Sequence, residues 1–195
     1  MNFAAFFSYV FLTTFTPGPN NIMSMSLARK YGFKTALRFA VGVFFGLLII
    51  MTLSAAFSSL LYRCMPKVEP VMLVIGAAYI LWLAWAVWRD KPHGNSRGLA
   101  EANIIISGIL LQFLNVKGIL YGLTVMSSFI LPYYRSFAAI SLFILLIAVI
   151  CIVSVLCWAL FGTAFERLFQ RHGKILNAAM ALLLVYCAVT MLLEL

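Results

Sequence analysis

Charge is what this sequence has least of. Only 10% of its 195 residues are Asp, Glu, Lys or Arg, against about 25% in a soluble domain. The acids are Glu69, Asp90, Glu101, Glu166 and Glu194, and neither they nor His93 and His172 fall deep inside an apolar run. That absence removes the paired carboxylates, nucleophile–base pairs and metal ligands an intramembrane enzyme needs. No catalytic residue, metal site or cofactor is therefore expected. Cysteine is also sparse. Cys64, Cys151, Cys157 and Cys187 include no close pair of the kind that builds a metal centre, and packing is their expected role.

Apolar residues are abundant, at 65% of the chain. They gather into six segments, roughly 3–28, 39–62, 70–88, 103–131, 137–165 and 175–193. Each reaches the roughly 20 residues that a bilayer core requires. The expected fold is an all-α membrane protein of six transmembrane helices, a single domain over 1–195 embedded in the lipid bilayer. The first segment lacks a basic start and a small-x-small site, so it reads as a span rather than a cleaved signal peptide.

The net charge of +9 does not point to nucleic acid, because the basic residues punctuate the apolar segments instead of forming one face. Arg29, Lys30, Lys34, Arg38, Arg89, Lys91, Arg97, Arg167, Arg171 and Lys174 fall in alternate loops; Arg63, Lys67 and Arg135 fall in the others. Cytoplasmic loops carry the excess, so both termini are predicted to face away from the cytoplasm.

One basic residue fits neither set. Lys117 lies near the middle of the fourth segment, where a lysine costs about 2.5–3.5 kcal/mol on insertion scales. Snorkelling to the interface is awkward at that depth, which favours a cavity-lining role. The first segment carries its own disruption, Thr16-Pro17-Gly18-Pro19-Asn20-Asn21. Pro17 and Pro19 lack the amide protons that would bond the carbonyls of Thr13 and Phe15. Irregular backbone at membrane depth persists only where protein or a water-filled cavity receives it.

Segments one and four correspond, because Asn115-Val116-Lys117-Gly118 interrupts the fourth as Thr16–Asn21 interrupts the first. Three segments per half make an inverted 3+3 repeat, with halves at about 1–88 and 103–195 and a polar linker at 89–102. Interrupted segments in corresponding positions point to a transporter's binding site. The half-helix opening at Pro19 presents unpaired amides with partial positive charge, where a carboxylate fits. The freed carbonyls of Thr13 and Phe15 are predicted to accept from an ammonium. Asn20, Asn21, Gln112 and Asn115 add neutral donors and acceptors, Lys117 a cation, and Tyr79 a candidate wall. The predicted ligand-binding set is thus Thr13, Phe15, Thr16, Pro17, Gly18, Pro19, Asn20, Asn21, Tyr79, Gln112, Asn115 and Lys117. Gly42 and Gly46, and Gly118 and Gly122, share a spacing that lets helices approach closely; internal packing is the default reading and a homodimer face the alternative.

Thr16-Pro17-Gly18-Pro19, with Gly76-Ala77-Ala78-Tyr79 and the asparagine and lysine of segment four, resembles the LysE/RhtB amino-acid exporter family over essentially the full chain. Most members look like Asn-Pro-Lys where this chain has Asn115-Val116-Lys117, so a milder bend is expected there. That departure, with Cys157-Trp158-Ala159-Leu160 and residues 182–189, is similar to the branch that exports cysteine and O-acetylserine. The resemblance implies efflux of small amino acids across the bacterial inner membrane, driven by proton motive force. Lys117 is then the candidate titratable carrier. Homoserine, threonine or leucine as cargo, a channel, and a membrane-embedded enzyme are the competing readings.

Overall fold

The computed structural model describes residues 1–89, 101–164 and 166–193, and among them it is entirely helical. The core of the predicted linker, 90–100, lies outside the described residues, as do the loop residues Lys91 and Arg97.

α1 (Phe3–Phe15) opens with Asn2 capping the Ala5 amide at 3.1 Å and closes where Pro17 removes the next donor. The last turn is held by Thr16, whose amide and hydroxyl both donate to the Leu12 carbonyl. α2 (Pro19–Tyr31) starts on a proline in its first turn, where a missing amide proton is harmless. It ends at Gly32, whose φ of +84° lets the chain turn directly into α3. The first predicted segment is therefore two helices with a break at 16–18.

α3 (Phe33–Trp88) merges the second and third predicted segments into one run of 56 residues. At about 1.5 Å per residue such a helix would span about 84 Å, far more than the roughly 30 Å of a bilayer core. It does not run straight. Phe57, with φ −118° and ψ 23°, leaves the helical region and kinks it. Its far end carries exposed Trp82, Trp85 and Trp88, with the Arg89 guanidinium 4.8 Å from the Trp85 ring, an arrangement suited to a membrane interface.

The fourth segment is α4 (Glu101–Leu114) followed by α5 (Val116–Thr124) and a π-helical turn at Val125–Ile130. The two arms are bent by 65° at Asn115. The expectation of a milder bend fails here. Proline is not needed, because Asn115 itself leaves the helix at φ −88° and ψ 89° and restarts it, its carbonyl accepting from the Gly118 amide at 2.8 Å. α6 (Phe137–Ala164) is apolar on all sides, and α7 (Glu166–Leu192) completes the fold.

Among the described residues, by length and apolar character two helices can cross a bilayer, Phe33–Phe57 and Phe137–Ala164, and the bent pair Ile104–Leu114 with Val116–Ile130 makes a third as one broken span. Phe3–Phe15, Leu73–Trp85 and Asn177–Thr190 are shorter apolar stretches. Large apolar side chains such as Phe45, Ile49, Leu142 and Leu145 are exposed on the outside, as lipid contact demands. Inside, α3 packs on α4 and α7, and α2 packs on α6.

The α3–α4 crossing is glycine-made. A Cβ on Gly42 would strike the Ile105 carbonyl oxygen, and one on Gly108 the Phe39 carbonyl oxygen. Gly46 lies against Gln112, where a Cβ would sit 2.9 Å from the glutamine Cβ. The Gly42–Gly46 spacing is thus used within the chain. G42A and G108A should each cost about 1–3 kcal/mol through overpacking against backbone. The check is the thermal midpoint of the detergent-purified protein, which should fall in both variants and stay unchanged in the lipid-facing F45L.

Candidate functional site

The break at 16–18 is closed by specific partners. The Thr14 carbonyl accepts from Asn21 Nδ2 at 3.0 Å and from Ser154 Oγ of α6 at 3.0 Å. The Thr16 carbonyl accepts from the same Asn21 amide at 3.1 Å. The Phe15 carbonyl accepts from Trp158 Nε1 at 3.3 Å. One of the two carbonyls predicted to receive an ammonium is therefore already engaged by α6. Ser24 Oγ, donating to the Val155 carbonyl at 2.9 Å, fastens α2 to the same face of α6.

Besides the Thr13 carbonyl, the acceptors left open are side-chain oxygens. Gln112 Oε1, on α4, takes the Asn20 amide at 2.7 Å and the Asn115 amide at 3.5 Å. With both NH2 groups directed to one glutamine oxygen, the Oδ1 atoms of Asn20 and Asn115 are buried without a donor. Buried polar atoms are nearly always paired, and here two acceptors at one place stand open to N–H donors.

A cation stands beside them. Lys117 is half-buried, and its ammonium lies so close to Gly18 that a Cβ there would be 3.6 Å away. Among the described residues it has no ion-pair or hydrogen-bond partner. Gly18 is extended, at φ −160°, and a Cβ there would meet Lys117 at ordinary van der Waals distance. Two helix starts add to the positive field. Neither Gly18 at the head of α2 nor Asn115 at the head of α5 supplies a side-chain cap, which leaves first-turn amides open.

These groups line two adjoining cavities. The narrow one, about 50 Å³, is walled by Thr13, Thr16, Gly18, Pro19, Asn20, Asn21, Gln112, Asn115 and Lys117 together with Thr14, Leu47, Gly118, Tyr121, Cys151 and Val155. The wider one, about 390 Å³, shares Thr13, Thr16, Pro19, Asn115, Lys117 and Tyr121 with it and adds Tyr9, Pro17, Leu120, Tyr186, Cys187 and Thr190.

Ten of the twelve predicted residues thus come together. Two do not. Phe15 contributes only its bonded carbonyl, and Tyr79 stacks on Trp82 at 5.7 Å on the far half of α3. Sequence reading missed the α6 and α7 walls. Cys151 and Val155 sit on a helix apolar all round, which carries no polar signal. Tyr121 could have been found, being one turn beyond Lys117, and so could Tyr186 and Cys187, which lie within residues 182–189.

An apolar helical exterior, wrapped around two helix breaks, donorless amide oxygens and a lysine without a partner among the described residues, is that of a membrane protein. The chain belongs to the LysE type translocator family, whose profile matches residues 11–195. It is 41% identical to a protein of Klebsiella pneumoniae named cysteine/O-acetylserine efflux protein, over 98% of this chain and 97% of that relative. Relatives of the same name in Escherichia coli K12 and Shigella flexneri are 41% identical over 95% of each chain. No solved structure matches.

Asn21 is expected to be the structural member of the asparagine pair. N21L removes a donor shared by two carbonyls of the break and should lower stability by about 1–3 kcal/mol. Thermal unfolding in detergent checks this, and N20L should shift the midpoint less, since Asn20 bonds only Gln112.

Proposed function

We propose that this chain is a secondary carrier that exports small neutral amino acids, foremost cysteine and O-acetylserine, across the bacterial inner membrane. The observation that carries the reading is the meeting of Lys117, two uncapped helix starts and two donorless amide oxygens on one cavity. A zwitterionic amino acid has both complements. Its carboxylate suits Lys117 and the amides at the heads of α2 and α5; its ammonium suits Asn20 Oδ1 and Asn115 Oδ1. No acidic residue falls deep inside an apolar segment, which leaves a lysine or arginine side chain without a counter-charge there, and the narrow cavity favours a small side chain. The cargo is suggested by the names of relatives that are 41% identical over nearly their whole lengths.

The corresponding breaks in α1–α2 and α4–α5 support an inverted 3+3 arrangement of six spans, halves 1–88 and 103–195, as one transporter domain. The α3 kink at Phe57 then separates two spans. The excess of loop lysine and arginine supports termini outside the cytoplasm. The cavity lies between the halves, where alternating access operates by moving one against the other. Lys117, being titratable and central, is the candidate for coupling export to protons.

Efflux from preloaded vesicles with a panel of labelled amino acids tests the cargo. Cysteine and O-acetylserine should leave in a saturable, mutually competing manner. Release of lysine or arginine in their place overturns the reading, and preference for homoserine, threonine or leucine reassigns the cargo within it. N115L should lower efflux by about tenfold or more, the effect of losing a hydrogen bond to a charged group worth about 1.5–3 kcal/mol, while F113L on the outer face should leave it near normal. K117Q should abolish the dependence of export on a pH gradient. Export still driven by that gradient in K117Q would remove lysine from the coupling role.

A further inference from the structure

Cys187 has no part in the scheme above, yet its placement is specific. It is a free cysteine on α7, and its sulfur lies 4.0 Å from the Pro17 carbonyl oxygen inside the α1–α2 break. It walls the wider cavity beside Lys117 and Asn115. Asn115 is 5% exposed, and its Oδ1 has no donor. A thiol, an ammonium and a donorless amide oxygen therefore face one space of about 390 Å³. Cys157, on α6, lines neither cavity. Cys187 also stands within about two turns of the C-terminal end of α7, the end placed outside the cytoplasm in the proposed topology, where disulfides persist.

We propose that Cys187 is a thiol-exchange site for small zwitterionic disulfides, the oxidised form of a thiol amino acid, which dock in the cavity and become covalently held there. The proposal rests on the solute-site and topology readings above. Lys117 and the helix starts receive one carboxylate of the disulfide, and Asn115 Oδ1 receives an ammonium. The Cys187 thiolate attacks the nearer sulfur of the ligand. The new bond joins Cys187 Sγ to that sulfur, and the ligand's own S–S bond breaks. The departing thiolate takes up a proton equivalent to the one Cys187 released. The disulfide is the oxidant, so no further reagent is consumed. The adduct fills the cavity shared by both helix breaks and arrests export until a thiol reverses it.

The test uses the purified full-length chain, with cystine compared against hydroxyethyl disulfide, which has no ionic ends. Peptide mapping should find half-cystine on Cys187 and not on Cys157. Cystine should label Cys187 about tenfold faster than hydroxyethyl disulfide does, and K117Q should erase that preference, as loss of a charge-assisted contact predicts. In vesicles cystine should cut O-acetylserine efflux several-fold, dithiothreitol should restore it, and C187S should be indifferent to cystine relative to its own untreated rate. No adduct on native Cys187 where the unfolded chain reacts, equal labelling by both disulfides, or inhibition that persists in C187S overturns the proposal. Labelling rates are read without transport. An untreated protein that moves no amino acid would therefore strike the carrier reading, while the Cys187 map stands or falls separately.

Discussion

A backbone carbonyl without a partner cannot be left in hydrocarbon, and the rest of this structure follows from that constraint. Pro17 and Pro19 free carbonyls in the middle of an apolar segment. Asn21, Ser154 and Trp158 recapture those of Thr14, Thr16 and Phe15. The partners come from α2 and α6, so the break fixes which helices must be neighbours. Ser24 on Val155 then closes the contact from the other side. Repairing the backbone with side chains from α6 positions Cys151 and Val155 as cavity walls.

Once the backbone is repaired, what remains unpaired is informative. Around the break the groups left open are the Thr13 carbonyl, side-chain oxygens and one ammonium, all within reach of the same cavity. A plain kink would have left nothing over. Here Gln112 gathers two amide donors on one oxygen and so exposes the acceptor ends of Asn20 and Asn115. The polarity of this site is shared between elements far apart in the chain.

Much of this was legible in the sequence, for local reasons. Proline and glycine report on backbone wherever they stand, so the break at 16–18 and the start of α2 at Pro19 could be read directly. A buried lysine is conspicuous because hydrocarbon penalises it. The harder features are relational. That Phe15 gives its carbonyl to Trp158, or that Tyr79 faces Trp82 and away from the cavity, depends on helix rotation, and apolar segments such as 137–164 have no polar stripe to reveal it. The bend at Asn115 misled for a different reason. Proline is one way to leave a helix, and an asparagine with φ −88° and ψ 89° is another. The join between the second and third segments was hidden because helical backbone continues through 58–69.

The glycine crossing of α3 and α4 has a mechanical consequence. Where Gly42 and Gly108 bring carbonyl and peptide into direct touch, no side chain lies between the rods to yield or swap rotamer. Two rods welded in this way translate together. Any rearrangement that opens one side of the molecule and shuts the other is thus displaced to the points that are not welded: the gap at 16–18, the elbow at Asn115 and the swerve at Phe57.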